Sequence, residues 1–421
     1  MKQKRLLLLG GLIYLIPVIE AAHKQGYYVI TCDYIQNNIA HKYSDEYHNV
    51  SIVDKYAVLR LAKELKIDGI MSFAVDPGVV TAAYVQEKMV LPGNPYKSVE
   101  ILQNKDKFRN FLALNGFNVP NFKGYSSVEE VLADINAGVY ADAHAGVGHF
   151  SWPLIVKPTD SAGSKGVTRV NHLNELEPAV EKAFEYSICK RIIIEDFIEK
   201  EGYSSDSEGF SVNGKLEFIS YSAQRFDLSA ANPYTPSAYS WPSTFTKVQK
   251  EELTSELQRL LKILDMGTSI YNIEVCTDKN GKAFIMEVSP RGGGNRLAEM
   301  LKYITGVDLI TNAVRAAVGD KVSDDIGFGV KDSQSKNYNG YWAEVILHSA
   351  KNGYFTGLNI NNKILKAEMI QEDLWVKRGE LVSSFNGANN AIGTLILKFD
   401  NEEELKDNLD NISSWLSINV K

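Results

Sequence analysis

Two glutamates, Glu274 and Glu287, stand at equal distances on either side of an Asn-Gly pair. Asn-Gly is the preferred centre of a two-residue β-hairpin turn, so the segments around Asn280-Gly281 predict a hairpin in which Glu274 lies directly opposite Glu287. Two facing carboxylates repel each other unless a positive charge lies between them. Their oxygens suit Mg²⁺ or Mn²⁺, which keep further positions for water and phosphate. The pair therefore predicts a metal site; the alternative is a solvent-facing hairpin with uncompensated glutamates.

The same hairpin predicts which neighbours share the metal face. Because side chains alternate along a strand, Ser289 lies on the face of Glu287 and offers a neutral oxygen ligand. The alternate residues of this strand are predicted to point into the core: Phe284, Met286 and Val288.

An arginine and three glycines follow the second glutamate. The planar guanidinium of Arg291, beside the metal carboxylates, would hold a transferring phosphoryl group or an acyl oxyanion. Gly292, Gly293 and Gly294 let the backbone approach a substrate and expose N–H groups to an anion. A glycine turn that joins a strand to a helix is the alternative.

A loop rich in serine, glycine and lysine follows a predicted strand that ends at Lys157. Residues 159–167 (TDSAGSKGV) contain Ser164, Gly166 and a second lysine, Lys165. Such a loop folds over phosphates with its backbone N–H groups, and the lysines add positive charge. The spacing does not match a P-loop, so a glycine-rich hairpin is the alternative.

The elements that must position these residues begin with an alternation of strands and helices. In residues 1–103, short β-branched runs separated by helices of about a dozen residues predict a doubly wound parallel α/β domain. Asp33 and Asp76 follow strands of this domain, where open α/β sheets bind their ligands; a helix cap or a turn is the plainer role for each.

The bulk composition is that of a soluble protein: 421 residues, 44% hydrophobic and 23% charged. The net charge of −7 gives no long-range attraction for nucleic acid or an anionic membrane, so neither is expected as a partner. Three widely spaced cysteines form no disulfide framework or CxxC pair, which favours a cytoplasmic location. The apolar stretch of residues 6–19 imitates a secretory signal, but Gly10-Gly11 divides it.

Taken in chain order, these segments resemble the ATP-grasp superfamily. The run Asp106-Lys107, with Pro120 following, resembles the family's first ATP lysine and the entry to its mobile subdomain. WPLIVKP with SAGSKGV resembles its phosphate-binding strand and lid, and IIIEDFIEKEGYSSD resembles the hinge that holds adenine. IEVCTDKNGKAFIMEVSPRGGGNRLAEM, with TGVDLI, resembles its metal and catalytic segment.

The resemblance implies a domain plan and a set of site residues. An N-terminal α/β domain (1–103) would precede an ATP-grasp domain (104–325, mobile subdomain 120–196) and a small C-terminal α+β domain (340–421). The implied ATP-binding residues are Lys107, Lys157, Ser164, Gly166, Glu195, Asp196, Phe197 and Ile198, with adenine on the backbone of the last three. The implied metal ligands are Glu274, Glu287 and Ser289; Arg291 is at the reaction centre, and the substrate lies on Gly292, Gly293 and Asn295.

The chain departs from the family pattern at two positions. Ser289 stands where the family usually has Asn, which bears on a second metal position. Gly202 stands where the ribose-binding acid is expected, so Glu201 is taken as its substitute.

The expected activity is carboxylate–amine ligation, in which ATP phosphorylates a carboxylate and an amine displaces phosphate. The alternatives are an ATP-grasp phosphotransferase and a non-catalytic nucleotide-binding regulator. A dinucleotide oxidoreductase is disfavoured because LGGLIYLIP lacks the G-x-G-x-x-G signature. The expected partners are a small-molecule carboxylate and an amine, and a homodimer is compatible with the sequence. Arg225 is the candidate for the substrate carboxylate, against a surface salt bridge.

Overall fold

The computed structural model describes residues 3–140, 150–161, 163–330 and 338–421. Within these ranges the strands form one parallel sheet near the N-terminus and four antiparallel sheets after it. The predicted fold class, an α/β part followed by α+β parts, is confirmed. No helix in the described ranges combines the length and the apolar character needed to cross a bilayer.

The N-terminal sheet is built from short apolar strands joined by helices. Its elements are β1 (Arg5–Leu9), α1 (Ile16–Lys24), β2 (Tyr28–Cys32), β3 (Glu46–His48), α2 (Lys55–Leu65), β4 (Gly69–Ser72) and α3 (Asp76–Met89). The order is β3-β2-β1-β4, with parallel neighbours. Alternate leucines of β1 contact two different apolar cores, so the strand is apolar on both faces. The carboxyl ends of β2 and β4 therefore bring Asp33 and Asp76 to one edge of the sheet.

Two helices, α4 (Tyr96–Leu102) and α5 (Lys105–Leu114), lead out of the parallel sheet. Asn104 caps α5 by accepting the N–H of Lys107 at 3.0 Å. The buried side of α5 carries Phe108 and Leu112, as its pattern predicts, but it also carries Arg109, which is only 1% exposed. A buried guanidinium requires an anionic partner, which the next sheet supplies.

The second sheet and the two helices that pack on it come next in the chain. The elements are β5 (Phe122–Tyr125), α6 (Val128–Asn136), β6 (Leu154–Pro158), β7 (Thr168–Val170), α7 (Leu176–Tyr186) and β8 (Ile192–Asp196). The strands are antiparallel in the order β5-β8-β6-β7 and share one apolar core with the two helices. This unit coincides with the segment 120–196 that was expected to move, and its mobility stays a prediction.

The central part of the chain carries the strands of the predicted metal hairpin. Its elements are β9 (Ser205–Val212), β10 (Lys215–Ile219), β11 (Ala223–Phe226), β12 (Pro236–Trp241), α8 (Lys247–Ile263), β13 (Ser269–Thr277), β14 (Ala283–Ser289), α9 (Leu297–Thr305) and α10 (Leu309–Ala317). The third sheet has the order β10-β9-β13-β14 and is antiparallel. Leucines of α8 cover one face, so the opposite face is left for polar groups.

The hairpin of β13 and β14 turns through three residues rather than two. The N–H of Gly281 donates to the carbonyl oxygen of Asp278 at 2.9 Å, and Gly281 has a φ of +77°. Lys279 and Asn280 are therefore the centre of the turn, and Gly281 adopts the left-handed conformation that follows it. The predicted Asn280-Gly281 centre is wrong, because glycine serves here as the residue after the turn.

A β-bulge restores the predicted register further from the turn. Val275 pairs with Ile285, one residue away from the expected partner, yet Glu274 pairs with Glu287. Met286 is the extra residue of β14 that absorbs this difference. The predicted pairing of the two glutamates is confirmed because the longer turn and the bulge compensate each other.

The bulge also reverses the alternation of side chains on the turn side of β14. Ala283 and Ile285 join the apolar core together with Val288. Phe284 and Met286 were predicted to point into that core and do not belong to it. The physical reason is that an extra residue inverts every later side-chain direction.

The C-terminal part consists of β15 (Tyr341–His348), β16 (Gly353–Ile360), β17 (Glu368–Leu374), β18 (Leu381–Val382), β19 (Ala391–Phe399), α11 (Glu402–Asp410), α12 (Ile412–Trp415) and β20 (Leu416–Val420). A five-stranded antiparallel sheet has the order β11-β12-β15-β19-β17, and a smaller one has the order β18-β16-β20. Residues 340–421 thus share a sheet with residues 223–241, which joins the end of the chain to its centre.

Replacing Gly292 with alanine should destabilise the fold. A Cβ at this position would lie 2.2 Å from the ring of Phe73, which is buried at the end of β4. Overpacking of this kind costs about 1–3 kcal/mol, so the melting temperature should fall by several degrees. Gly294→Ala is the matched control, because its Cβ would meet its neighbours only at 3.7 Å or beyond. Equal melting temperatures for the two variants would contradict the packing of this turn against β4.

Candidate active site

Six polar side chains form two rows across three adjacent strands, β9, β13 and β14. Directly paired residues of antiparallel strands share a face, so the pairings place each row side by side. The first row is Asp206, Glu274 and Glu287; the second is Glu208, Asn272 and Ser289. Asn272 connects the rows by donating its amide N–H to Asp206 Oδ1 at 2.7 Å. Four carboxylates therefore lie on the face opposite to α8.

Burial and mutual repulsion raise the pKa of three of these carboxylates. Burial raises the pKa of Asp206 to about 7, with the charge of Glu274 adding to the effect. Burial likewise raises the pKa of Glu208 to about 8. The pKa of Glu274 is also raised, first by burial and then by the charge of Glu287. The face is thus short of positive charge and favours a cation.

Glu287 is the exception because a lysine lies beside it. Lys105 Nζ is 3.1 Å from Glu287 Oε2. Burial would raise the pKa of Glu287, but the charge of Lys105 outweighs it and the pKa lies below its usual range. Lys105 also donates its backbone N–H to the carbonyl oxygen of Thr159, at the base of the predicted lid. One residue of α5 therefore contacts both the glutamate pair and the loop.

Lys107, the lysine that the family resemblance selects, is not among the groups that meet this face. Its ammonium is 3.2 Å from Glu100 and its side chain is 49% exposed. Lys105 and Lys107 are two residues apart on a helix and so point in different directions. The structure brings Lys105 to the glutamates, and a phosphate contact of Lys107 stays a prediction.

Arg291 is held by an aspartate of the N-terminal sheet. Its Nε and Nη2 donate to the two oxygens of Asp76 at 2.8 Å each, and its Nη1 donates to the carbonyl oxygen of Gly292 at 3.0 Å. A guanidinium has five N–H donors, so two remain without an acceptor in the described part of the chain. Asp76, whose plainer role was a helix cap, fixes the plane of this arginine.

Ser289 belongs to the same hydrogen-bond network. Its hydroxyl donates to Asp76 Oδ1 at 3.0 Å and accepts from the side-chain amide of Gln103 at 2.8 Å. With its proton directed at Asp76 and a donor on its oxygen, the serine serves to connect Asp76 with α4. Glu274 and Glu287 stay the predicted metal-binding pair, and a metal contact of Ser289 also stays a prediction.

The glycines after Arg291 fit closely among the carboxylates. The N–H of Gly293 donates to Glu208 Oε1 at 2.7 Å, and a Cβ there would lie 2.6 Å from the same oxygen. Asn295, predicted to contact substrate, donates to the hydroxyl of Tyr239 at 3.4 Å and accepts from that of Tyr14 at 3.2 Å. The glycine turn therefore connects Arg291 with Asn295 and its two tyrosine partners.

Lys157, Glu195 and Arg109 form a buried charge triad. Lys157 Nζ lies 2.5 Å from Glu195 Oε2, and Arg109 Nε lies 2.8 Å from Oε1. Burial would raise the pKa of Glu195, but the two cations outweigh it and the pKa is lowered. Burial lowers the pKa of Lys157, which Glu195 only partly offsets. The predicted ATP residues Lys157 and Glu195 are thus brought together, with an arginine that the sequence analysis missed.

The backbone after Glu195 forms the connection to the central sheet. The N–H groups of Asp196 and Phe197 donate to the carbonyl oxygens of Asn121 and Pro153 at 2.9 Å each. Ile198 follows these paired residues, and within the described ranges its N–H has no acceptor. Of the predicted adenine contacts, Ile198 is therefore the residue with a backbone donor available.

Glu201 is exposed and lies beyond this hinge. Its carboxylate accepts from the side chain of Gln249 at 3.2 Å, and its N–H donates to the carbonyl oxygen of Thr277. This position at the start of α8 is compatible with the ribose contact predicted for it, which stays a prediction.

The predicted lid packs against two other segments. Ser164 donates its hydroxyl to the carbonyl oxygen of Tyr234 at 2.9 Å, and the side chain of Asn232 donates to the carbonyl oxygen of Ser164 at 3.0 Å. Asn232 also contacts the backbone of Asn386 in the C-terminal part. Gly166 has a φ of +75°, and a Cβ there would lie 2.9 Å from Tyr186. Ala162 of this loop lies outside the described residues.

Arg225 contacts an acid and a tyrosine through one of its nitrogens, and its contact with a substrate carboxylate stays a prediction. Its Nη1 lies 2.6 Å from Asp410 of α11 and 2.8 Å from the hydroxyl of Tyr203. The guanidinium also stacks on the Tyr203 ring at 4.4 Å. The salt bridge considered as its alternative role is the arrangement observed, because α11 brings an acid to this strand end.

The glutamate pair fits a magnesium ion that is bound together with nucleotide. Among the described residues, no three His, Cys, Asp or Glu side chains surround one metal position. Mg²⁺, however, is commonly held by one or two carboxylates and completed by phosphate oxygens and water. Glu274 and Glu287, opposite each other on a face with uncompensated negative charge, supply that carboxylate set.

Several residues of the site were missed by the sequence analysis. Asp206 and Glu208 alternate along β9, in SSDSEGF, and that period of two was a readable sign of acids on one strand face. For Arg109 there was a weaker indication in the sequence, which is a charged residue on the apolar side of a helix. For the contacts that Lys105 and Asp76 make, there was no indication in the sequence, because both depend on segments that are distant in the chain.

Part of this chain matches a known domain family. Residues 150–299 match the ATP-grasp domain family. The carbamoyl phosphate synthase large chain of Caldanaerobacter subterraneus subsp. tengcongensis is 25% identical over 253 residues, 58% of this chain and 21% of that protein. The chain thus spans about a fifth of the length of the carbamoyl phosphate synthase chains it matches.

Two solved structures extend the likeness to the full length of the chain. The L-amino acid ligase of Bacillus licheniformis has a TM-score of 0.77 at 21% identity, with 100% of both chains covered. The biotin carboxylase domain dimer of Hydrogenobacter thermophilus 2-oxoglutarate carboxylase, bound to MgADP and bicarbonate, has a TM-score of 0.70 at 17% identity, covering 100% of this chain and 92% of that one. At these identities the likeness establishes the fold. The domain match covers residues 150–299, and the fold of the whole chain is that of these two solved structures.

Proposed function

We propose that the protein is an ATP-dependent carboxylate–amine ligase that forms an acyl phosphate and releases ADP and phosphate. The observation that carries the proposal is the convergence of a carboxylate pair with fixed cations. Glu274 and Glu287 face each other, Lys105 touches one of them, and Arg291 is oriented beside them by Asp76. A triphosphate and a metal require this combination of charges at one place.

The reaction we propose has two steps. A substrate carboxylate oxygen attacks the terminal phosphorus of ATP, the bond from that phosphorus to the bridging oxygen breaks, and ADP leaves. The amine nitrogen then attacks the acyl carbon, the carbon–oxygen bond to phosphate breaks, and phosphate and a proton are released. Both steps develop negative charge on oxygen, so fixed positive groups lower their barriers.

Residues of this chain would supply that stabilisation in named positions. The two unpartnered N–H groups of Arg291 would bind oxygens of the transferring group, and Asp76 would keep them in place. Lys157 and Lys105 would bind phosphate oxygens in exchange for part of their present carboxylate contacts. When bound, Mg²⁺ on Glu274 and Glu287 would neutralise phosphate charge and orient the phosphoryl group.

The relatives support this reading without fixing the substrates. A structure of the same fold contains MgADP and bicarbonate, and another is named an L-amino acid ligase. We therefore propose ATP and Mg²⁺ as the nucleotide and cofactor, and small molecules as substrates. The domain boundaries, a cytoplasmic location and a homodimer stay predictions, and the amine dependence of turnover separates ligation from simple phosphotransfer.

Mg·ADP should raise the melting temperature, and Glu287→Gln should abolish most of that increase. A ligand that binds only the folded state stabilises it, and the amide keeps the size of Glu287 while removing its charge. Metal-dependent affinity and turnover should fall by about 100-fold. The shift is measured by calorimetry with Mg²⁺ and with EDTA. Glu217→Gln is the control, because Glu217 lies on β10 of the same sheet and pairs with surface Lys215. An unchanged shift in Glu287→Gln would contradict the metal position.

Asp76→Asn should lower turnover while nucleotide binding is retained. Asparagine cannot accept two N–H groups from Arg291, so the guanidinium loses its fixed plane, and misplacement of a catalytic group costs roughly 10- to 100-fold. The measurements are kcat for phosphate release and the thermal shift with Mg·ADP. Glu87→Gln, an exposed acid on the same helix, is the control. A variant that keeps full kcat would show that Asp76 does not position Arg291.

Hydroxylamine should trap the activated acid as a hydroxamate when ATP, Mg²⁺ and a substrate carboxylate are supplied. The nucleophile replaces the amine in the second step, so the hydroxamate should form together with equal amounts of ADP and phosphate. The products are identified by chromatography and mass spectrometry over a panel of amino acids and other carboxylates. AMP and pyrophosphate would indicate adenylation and refute the acyl phosphate. Amine-independent transfer of phosphate to a stable product would indicate a phosphotransferase.

A further inference from the structure

Glu344 is a buried carboxylate without a partner. It lies on β15, directly opposite Tyr239 of β12 and Ile396 of β19, and its exposed fraction is 0%. In the described part of the chain, neither of its oxygens has a hydrogen-bond donor. Its neighbours along the same strand face, Trp342 and Ile346, belong to the largest apolar core. An ionisable group in such a place is costly unless a ligand compensates it.

The groups around Glu344 are mostly acidic or hydroxylic. Asp206 and Glu299 are close enough to raise its pKa further, after burial itself, and Arg296 opposes them. Arg296 is already committed, since it contacts Glu299 at 2.9 Å and Asp373 at 3.2 Å. The hydroxyls of Tyr14 and Tyr239 complete the surroundings. Among the described residues, the groups around Glu344 therefore have an excess of negative charge, and the arginine near them is already paired with other acids.

Tyr239 links the surroundings of Glu344 to the glutamate pair. Asp206 stands beside Glu274 in the first polar row and accepts the Tyr239 hydroxyl at 3.1 Å. The side chain of Asn295 is hydrogen-bonded to the hydroxyls of both Tyr239 and Tyr14. The ring of Tyr14 packs edge-on against that of Trp375, with 5.6 Å between the ring centroids. The indole N–H of Trp375 is also buried without an acceptor among the described residues. Hydrogen-bonded side chains thus lead from Asp206 to Tyr14 in the N-terminal part, which contacts Trp375 in the C-terminal part.

We propose that Glu344 is the counter-ion for an ammonium group of the acid substrate, which makes that substrate an amino acid. The inference rests on the proposed ligase function, because the reacting carboxylate would lie at Arg291 while its ammonium group points to Glu344. An anionic group at this end would meet at least two carboxylates, and an apolar group would leave Glu344 uncompensated. An ammonium group supplies both the positive charge and the N–H donors that the oxygens of Glu344 lack among the described residues.

The test compares L-amino acids with the same molecules lacking the amino group. The pairs are L-alanine with propanoate, L-leucine with 4-methylpentanoate, and L-phenylalanine with 3-phenylpropanoate. Binding is measured by calorimetry with Mg·ADP present, and turnover by phosphate release with Mg·ATP. For at least one pair the wild type should prefer the amino acid by roughly ten-fold or more, the size of a charge-assisted contact.

Variants of Glu344 identify the origin of this preference. Glu344→Gln keeps the shape and should remove the preference, with the ligand-free melting temperature unchanged or higher because an unpaired buried charge is gone. Glu344→Asp should retain part of the preference, which provides a charged variant if the amide folds poorly. Glu372→Gln is the control, an exposed acid on β17 of the same sheet.

The outcomes separate this inference from the proposed function. Loss of preference in Glu344→Gln alone supports the ammonium site. Equal binding of both members of every pair by the wild type overturns it, and so does a uniform loss in Glu344→Gln for both members. Selective binding without any phosphate release would keep the ammonium site and refute the ligase activity.

Discussion

Three carboxylates side by side on adjacent strands are the constraint on which this structure depends. Asp206, Glu274 and Glu287 share one face of the third sheet, where like charges destabilise strand pairing and burial increases the cost. The polypeptide offsets this only in part, with Lys105 next to Glu287. The raised pKa of Glu274 reports the remaining deficit of positive charge. A bound metal ion would relieve the strain that the ligand-free chain retains.

The cations near this face are themselves held by acids that lie outside it. Asp76 holds Arg291 from the N-terminal sheet, and Glu195 holds Lys157 from the second sheet. Each such contact fixes a long, flexible side chain before any ligand arrives, which reduces the reorganisation that binding requires. The arrangement also distributes the site over separate sheets. A change in how those sheets meet would therefore alter the charge around the glutamates.

The two ends of the site have different origins in the fold. The metal end is built from the central sheet, whose hairpin register is fixed by a turn and a bulge. The Glu344 end is built where β12 and β15 pair, with Tyr14 from the N-terminal part and Trp375 from the C-terminal part. The proposed nucleotide end and the proposed substrate end thus lie on different sheets, which are linked by the hydrogen bond from Tyr239 to Asp206.

What the sequence determined by itself is local in character. Strand and helix periodicity predicted the parallel N-terminal sheet and the facing pair of Glu274 and Glu287, because each depends on residues close together in the chain. Even there, the position of the turn and of the bulge escaped prediction, since glycine suits both an Asn-Gly centre and the residue after a three-residue turn.

Only the tertiary structure decided which distant groups meet. It brought Lys105 rather than Lys107 to Glu287, placed Asp76 on Arg291 across 215 residues, and turned Arg225 toward Asp410. Within the described residues, it also left both carboxylate oxygens of Glu344 without a hydrogen-bond donor. Periodicity states which face of an element is buried, but not which charge from another element lies against it. That choice is made by the packing of whole sheets and helices, to which many residues contribute small energies.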